Sequence, residues 1–416
     1  MGKEALMGPG RWDEAIGFLD SLLNYETTGG YAKFLERFQE LLHRLGHPQN
    51  HPAKKVLIVG TKGKGSVAAH ITRALVNQGL SVGTYTSPHV RSITERIKLN
   101  DKPISERELA DMILRIKPYV ALNRGFSTWF ETMTAASFLF FKEHNADFWV
   151  LEAGLGGRLD ATNAVKQDIT VITRLGLDHT HILGNDIASI AREKAGAIKQ
   201  GPVFTVPQEE PAMRVIEEVC EKQGADLRIV EFETEQSTLE GNTVKLNGQL
   251  LHTPLVGAFQ AENLALAASA LAALGLPEPD FSGTTNPGRF QVIERDGKTL
   301  ILDSAHNPLA LKTVLEEVSR FWPGRKPVVV FGTSRRKNTA EMLKLLRDVS
   351  GVILTRANTP KAAEPFLMEQ DAAMAGLKTT RTKDVAQALE AAQAHQLILI
   401  TGSVYVVGEA LEILGL

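Results

Sequence analysis

The run Val56-Leu57-Ile58-Val59-Gly60-Thr61-Lys62-Gly63-Lys64-Gly65-Ser66 decides how this chain is read. Four consecutive apolar residues suit a strand buried on both faces. Glycines then allow a tight turn, and Val67, Ile71, Leu75 and Val76 follow at helical spacing as far as Gly79. A second strand is expected over residues 81–86, which completes a βαβ unit. The turn has the chemistry of a phosphate cradle. Its backbone N–H groups and the helix N-terminus would face an anion, Lys64 would add a full charge, and Ser66 could reach a magnesium ion. It departs from the common G-x-x-x-x-G-K-[ST] pattern, because Ile58 stands at the first glycine and Gly65 is inserted before Ser66. The plain alternative is a glycine-rich turn with exposed lysines.

Working outward, residues 12–24 and 31–46 read as amphipathic helices ahead of the strand. After it, helices are expected at 106–121, 131–144 and 186–199, and strands at 148–151, 169–173 and 203–206. Residues 227–256 read as short antiparallel strands with turns at Gly241-Asn242 and Asn247-Gly248, followed by an alanine-rich helix over 258–274. A glycine- and proline-rich stretch at 275–289 marks a boundary. The α/β alternation then restarts, with strands near 300–302, 328–331, 352–354 and 397–400. Helices fit at 308–320, 339–348, 383–394 and 404–413. Two α/β domains are expected, the larger first, with a cleft between them as the place for a site.

Composition narrows the partners. Lysine and arginine number 46 against 48 acidic residues, a formal net charge of −2. No basic excess is available to neutralise nucleic-acid phosphates. The single cysteine, Cys220, lies in an amphipathic run and reads as a buried core thiol. No apolar run is long enough to span a bilayer, and the first residues carry no apolar signal core. The expectation is a cytoplasmic monomer that binds neither membrane nor nucleic acid.

Three polar spots follow strands of the first domain: Thr86-Ser87-Pro88-His89, Glu152 at the head of Glu152-Ala153-Gly154-Leu155-Gly156-Gly157-Arg158-Leu159-Asp160, and Asp178-His179-Thr180. Ligands gather at the carboxyl ends of parallel strands, so Ser87, Glu152 and His179 could meet on one magnesium. Taken singly, Ser87 could open a turn, Glu152 cap a helix and His179 fill a core.

Together these stretches resemble the folylpolyglutamate synthase and dihydrofolate synthase family of Mur-type ligases. Further matches are Glu95-Arg96-Ile97, Ala161-Thr162-Asn163, Glu193-Lys194-Ala195-Gly196, Pro287-Gly288-Arg289, Asp303-Ser304-Ala305-His306-Asn307-Pro308 and Thr401-Gly402-Ser403-Val404-Tyr405. The resemblance implies a P-loop-type, mostly parallel sheet domain with N-terminal helices over residues 1–286. A smaller Rossmann-like α/β domain over 287–416 would follow. It implies ATP-dependent transfer of L-glutamate to a folate or dihydropteroate carboxylate through an acyl phosphate.

Carried over by position, Thr61, Lys62, Gly63, Lys64, Gly65 and Ser66 would hold the ATP phosphates. Asn263, Arg289 and Asp303 would contact ATP, with His306 close by, and Ser87, Glu152 and His179 would hold Mg2+. Lys194 falls on a lysine that family members carry as a carbamate; by itself it reads as a solvated helix lysine. Thr128, Trp129, Phe130, Glu131, Leu159, Asp160 and Ala161 match the pterin pocket. Two places depart from the family pattern. The pterin loop near 27–34 aligns ambiguously, and the basic run Thr333-Ser334-Arg335-Arg336-Lys337-Asn338 stands where an Asp-Lys-Asp run is common. The competing readings are a Mur-type ligase acting on another acid and a nucleotide-dependent switch without ligase chemistry.

Overall fold

The computed structural model describes residues 10–24, 35–121, 127–276, 278–335 and 337–416, apart from the side chain of His181. At its centre lies β1 (Lys54–Val59). Around it stand β2 (Val82–Tyr85), β3 (Ile97–Leu99), β4 (Lys102–Pro103), β5 (Phe148–Glu152), β6 (Ile169–Ile172), β7 (Pro202–Thr205) and β8 (Asp226–Ile229). They form one sheet in the order β4-β3-β2-β5-β1-β6-β7-β8. Only β3 and β4 run antiparallel to their neighbours.

Successive residues of β1 enter opposite cores, as the period of two requires. Val56 and Ile58 face the helices Lys64–Asn77 and Phe259–Ala273. Leu57 and Val59 face the helices Glu106–Ala121, Trp129–Glu143 and Glu210–Gln223. In register, Ile58 pairs with Glu152 and Val59 with Ile172. Gly60, Glu152 and Thr173 therefore leave the sheet at the same edge.

The strands β9 (Glu233–Thr238), β10 (Gly241–Leu246) and β11 (Gln249–Thr253) form a separate antiparallel sheet. The expectation of antiparallel strands from 227 onward is corrected at its start, because β8 pairs parallel with β7. The helix Glu210–Gln223 is a crossover between β7 and β8, and a crossover returns the chain in the same direction. Cys220 lies on that helix, 3% exposed, with burial pushing its thiol up to about 11. The expected helix over 31–46 is present as Leu35–Arg44, and residues 31–34 lie outside the described residues.

The second unit contains β12 (Gln291–Arg295), β13 (Lys298–Leu302), β14 (Val328–Phe331), β15 (Gly351–Leu354), β16 (Thr379–Arg381) and β17 (Leu397–Thr401). Their order is β12-β13-β17-β14-β15-β16, parallel except for β12 against β13. No helix among the described residues is long and apolar enough to cross a membrane.

Trp149 anchors the first core. Its ring is fully buried and lies 5.5 Å from Phe138, 5.6 Å from Phe141 and 5.7 Å from His51. Trp149→Ala is expected to lower unfolding stability by about 3–5 kcal/mol in a denaturant titration. Trp149→Phe should lose much less, because the buried indole N–H has no hydrogen-bond partner among the described residues to give up.

Candidate active site

The loop after β1 is held from several sides. Gly60 has φ +146, and a Cβ there would sit 1.9 Å from Thr173 Oγ1. The amides of Thr61 and Lys62 both donate to the Arg174 carbonyl at 3.1 Å. Thr61 Oγ1 donates to Gly176 O and lies 3.2 Å from the Gly176 amide. Gly63, at φ +90, precedes the helix Lys64–Asn77, and a Cβ on it would lie 2.1 Å from Asn263 Oδ1. Asn263 is itself fixed by Gln260 at 2.9 Å.

Two ammonium groups converge on this loop. Lys64 Nζ donates to Gly60 O at 3.3 Å, and Lys194 Nζ donates to the same oxygen at 2.7 Å. Lys194 is 5% exposed, which corrects the solvated reading of its helix position. Its helix, Ile187–Ala195, packs under the loop after β5, where a Cβ on Gly157 would meet Lys194 O at 2.7 Å.

Glu152 ends β5 with its carboxylate buried. Its Oε2 accepts from the Ser87 amide at 3.0 Å and lies 3.6 Å from where a Gly65 Cβ would stand. Burial pushes its pKa up, against the pull of Lys64, the Ser87 amide, Arg289 and Arg96. His179 is left-handed at φ 49 and stands at the rim, with Nε2 3.9 Å from the Asp178 carboxylate. Desolvation and the cations Lys337, Lys64 and Lys194 draw its pKa down, opposed by Asp178. Burial works to raise the Asp178 pKa, but His179, His306 and Lys337 hold it below the usual carboxylate range.

From the second unit come Arg289, Asp303, His306 and Lys337. Asp303 is 7% exposed and fastens its own loop, accepting from the amides of Phe290 and Ala305 at 2.8 Å each. Burial raises its pKa, while Arg289, these amides and Lys62 pull it down. His306 donates through Nδ1 to Ser304 O at 3.0 Å. Burial, aided by Lys337, lowers its pKa to about 4, so the ring is neutral and Nε2 keeps a lone pair. Arg289 is half-buried and makes no side-chain hydrogen bond or ion pair among the described residues. A phosphate group surrounded by these cations and the loop amides would be stabilised most where its charge is most concentrated.

Among the described residues, no group of three or more His, Cys, Asp and Glu side chains is placed to hold a metal ion. Ser87, Glu152 and His179 offer a different set. The Ser87 amide holds the Glu152 carboxylate beside Ser87, and Lys64 acts electrostatically on both Glu152 and His179. Two oxygen donors and one nitrogen, with water completing the shell, fit magnesium.

A profile of the Mur ligase middle domain matches residues 58–272, and one of the Mur ligase glutamate ligase domain matches 288–404. The dihydrofolate synthase/folylpolyglutamate synthase of Bacillus subtilis is 32% identical, over 91% of this chain and 94% of that protein. The chain belongs to the folylpolyglutamate synthase/dihydrofolate synthase family. The solved Mycobacterium tuberculosis folylpolyglutamate synthase, complexed with ADP and AMPPCP, superimposes with a TM-score of 0.87 at 27% identity. That match covers 98% of this chain and 99% of that one. The Yersinia pestis bifunctional enzyme, complexed with AMPPNP and Mn ion, gives 0.81 at 29% identity, covering 99% and 100%.

In this family member the segments that the resemblance assigns to the pterin pocket are only partly exposed. Thr128 and Glu131 form a capping box on the helix Trp129–Glu143, so the Glu131 carboxylate accepts from the Thr128 amide at 2.7 Å. Trp129 is 5% exposed beneath Arg96, whose guanidinium lies 4.5 Å from its ring centre. Asp160 is fully buried and accepts from Leu155 N, Thr162 N and Thr162 Oγ1. Phe130 and Leu159 remain half-buried, while Ala161 is buried. A Cβ on Gly154 would meet the Phe130 ring at 2.6 Å, so that ring lies directly over the loop after β5. The segment 27–34 lies outside the described residues. Ser66 Oγ accepts from Asn286 Nδ2 at 3.0 Å, which ties the loop to the boundary stretch.

Asp178 and Lys337 are the cleft residues that the sequence reading did not assign. Asp178 stood beside a chosen histidine, and the basic run around Lys337 was the only signal for the other. Gly63→Ala tests the loop. The added methyl is strained at φ +90 and meets Asn263, so affinity for a non-hydrolysable ATP analogue should fall about tenfold or more by equilibrium titration.

Proposed function

We propose that this ligase joins L-glutamate to the carboxylate of a folate-type acceptor, both dihydropteroate and reduced folates, at the expense of ATP. The observation that carries this reading is the meeting of Lys64 and Lys194 on Gly60 O beside the Ser87–Glu152 pair, with Arg289, His306 and Lys337 opposite. Residues 1–286 and 287–416 act as two domains with the reaction in the cleft between them. The near-balanced charge of the chain supports small anionic substrates rather than nucleic acid.

An oxygen of the acceptor carboxylate attacks the γ-phosphorus, the bond to the β-phosphate oxygen breaks, and ADP leaves. The amine of glutamate then attacks the acyl carbon, and inorganic phosphate departs. Loop amides 61–66 and Lys64 hold the phosphates, and Lys62 and Arg289 balance charge that gathers on the transferring group. Asn263 holds Gly63 in shape, and Asp303 holds the loop that carries Arg289. Ser87, Glu152 and His179 would hold magnesium, which when bound neutralises phosphate charge. Neutral His306, with its lone pair on Nε2, can take a proton from the attacking amine. Lys337 suits a carboxylate of the incoming glutamate. Phe130, Leu159 and Ala161, framed by Thr128, Trp129, Glu131 and Asp160, form the wall for a flat heterocycle.

Lys194 is read as carbamylated: neutral Nζ attacks carbon dioxide, and a proton leaves. The product is an anionic oxygen ligand beside the phosphates. Its burial lowers the cost of losing the proton. Lys194→Ala should lose about two orders of magnitude in turnover, and short carboxylic acids in solution should restore part of it. A variant that no acid rescues would reject the carbamate.

The function itself is tested by ADP release with glutamate and, in turn, dihydropteroate, tetrahydrofolate and its monoglutamate. Turnover is expected with each. Activity on reduced folates alone would remove the dihydrofolate synthase half, and ADP release indifferent to glutamate and acceptor would overturn the ligase reading.

A further inference from the structure

Residues 86–96, between β2 and β3, touch three regions at once. At the start, the Ser87 amide holds Glu152. At the end, Arg96 is 2% exposed, donates through Nε to His89 Nδ1 at 2.9 Å, and stacks over Trp129. In the middle, the Glu95 carboxylate gathers the amides of Val90, Arg91 and Ser92 at 2.9, 3.3 and 3.4 Å. Burial opposes its charge, yet these three amides and Arg91 hold its pKa low, so this backbone is tied as one piece.

Val90 then leaves the first unit. Its side chain packs against the buried cluster of Leu302, Val406 and Val407 in the second. Gly408 shows how close the two backbones come, because a Cβ there would lie 2.0 Å from the Val90 carbonyl oxygen. Gly408 sits inside the helix Val404–Ile413, where alanine would favour the helix more. Gly288 approaches from the other side, with a would-be Cβ 2.7 Å from Val407 Cγ1 and 3.7 Å from Val90 Cγ1.

We propose that residues 86–96 relay the docking of the second unit to the Ser87–Glu152 pair, with Val90 and Gly408 as positioning residues for ligation. The second unit brings Arg289, His306 and Lys337 to the cleft, and its seat on Val90 lies three residues from Ser87. Glu95 ties residues 90–92, and Arg96 ties both sides of Ser87, accepting from the Thr86 amide at 3.0 Å and donating to His89, so a displacement at Val90 is passed to Ser87 through this short bridged span.

Gly408→Ala is the test. The added methyl overlaps the Val90 carbonyl by more than the helix preference for alanine offsets, so thermal unfolding is expected to move down by a few degrees with the fold retained. The kcat for ligation should fall about tenfold or more while the KM for ATP changes less than about threefold. Hydrogen exchange over residues 86–96 should speed up in the same variant. Val90→Ala adds no atom and should show the same exchange change with a smaller fall in kcat; it carries the test if Gly408→Ala does not fold. Exchange over 86–96 as slow as in the parent protein, or kcat within about twofold of it, overturns the proposal. The kinetic arm rests on the ligase reading, whereas the exchange arm does not. Parent protein without ligase activity therefore fails that reading alone.

Discussion

The carbonyl oxygen of Gly60 receives the ammonium groups of both Lys64 and Lys194. Unmodified, these are two like charges at one backbone atom, and the proposed carbamate on Lys194 would replace their repulsion by attraction. Lys62, Arg289 and Lys337 add further positive charge nearby, and Glu152, Asp178 and Asp303 are interleaved among them. Buried charges persist only where partners offset desolvation. The acids therefore set the resting balance of the cleft, and the cations remain directed at a space suited to phosphate. His306 fits the same logic, because burial, with Lys337 beside it, keeps the ring neutral.

One helix links the loop to the second unit. Asn263, on the helix Phe259–Ala273, presses against Gly63, while Phe259 at its start lies 6.4 Å from Phe290 in an edge-to-face pair. The Ala258 amide just ahead of it donates to Glu317 Oε2 at 2.9 Å on the helix Pro308–Phe321, and Arg320 of that helix donates to Ser237 O at 2.9 Å. The phosphate loop and the approach of Arg289 are thus referred to one rigid element. Together with the Val90 contact, this seats the second unit at two separated places.

Much of this was legible in the chain. The apolar run of β1, its glycines and the helical spacing after it are local signals, and β1, the loop and the helix Lys64–Asn77 lie where they point. Strand ends marked by Ser87, Glu152 and His179 were legible for the same reason, since parallel strands put their carboxyl ends on one edge. Other parts were not. Thr128-Trp129-Phe130-Glu131 matches a pocket segment by resemblance, yet Glu131 is engaged by its own helix cap and Trp129 by Arg96, while Phe130 stays half-buried beside Tyr85. The β8 strand read as part of a hairpin series, because a crossover helix and a connecting helix look alike until the partner strand is known.

What the sequence by itself determined is the type and order of the longer elements and the motifs at their ends, while the short strands β3, β4, β12 and β16 and the helix Pro365–Met374 carried no signal strong enough to place them. The longer elements and the motifs depend on spacing within a few residues, and they place the chain in its ligase family. Only the tertiary structure decided which charges meet. Lys194 lies 134 residues from Gly60 and donates to its carbonyl, while Asp178 gathers His179, His306 and Lys337 from both units. Charge acts through space and depends on burial, and neither distance nor burial is written in the local order of residues.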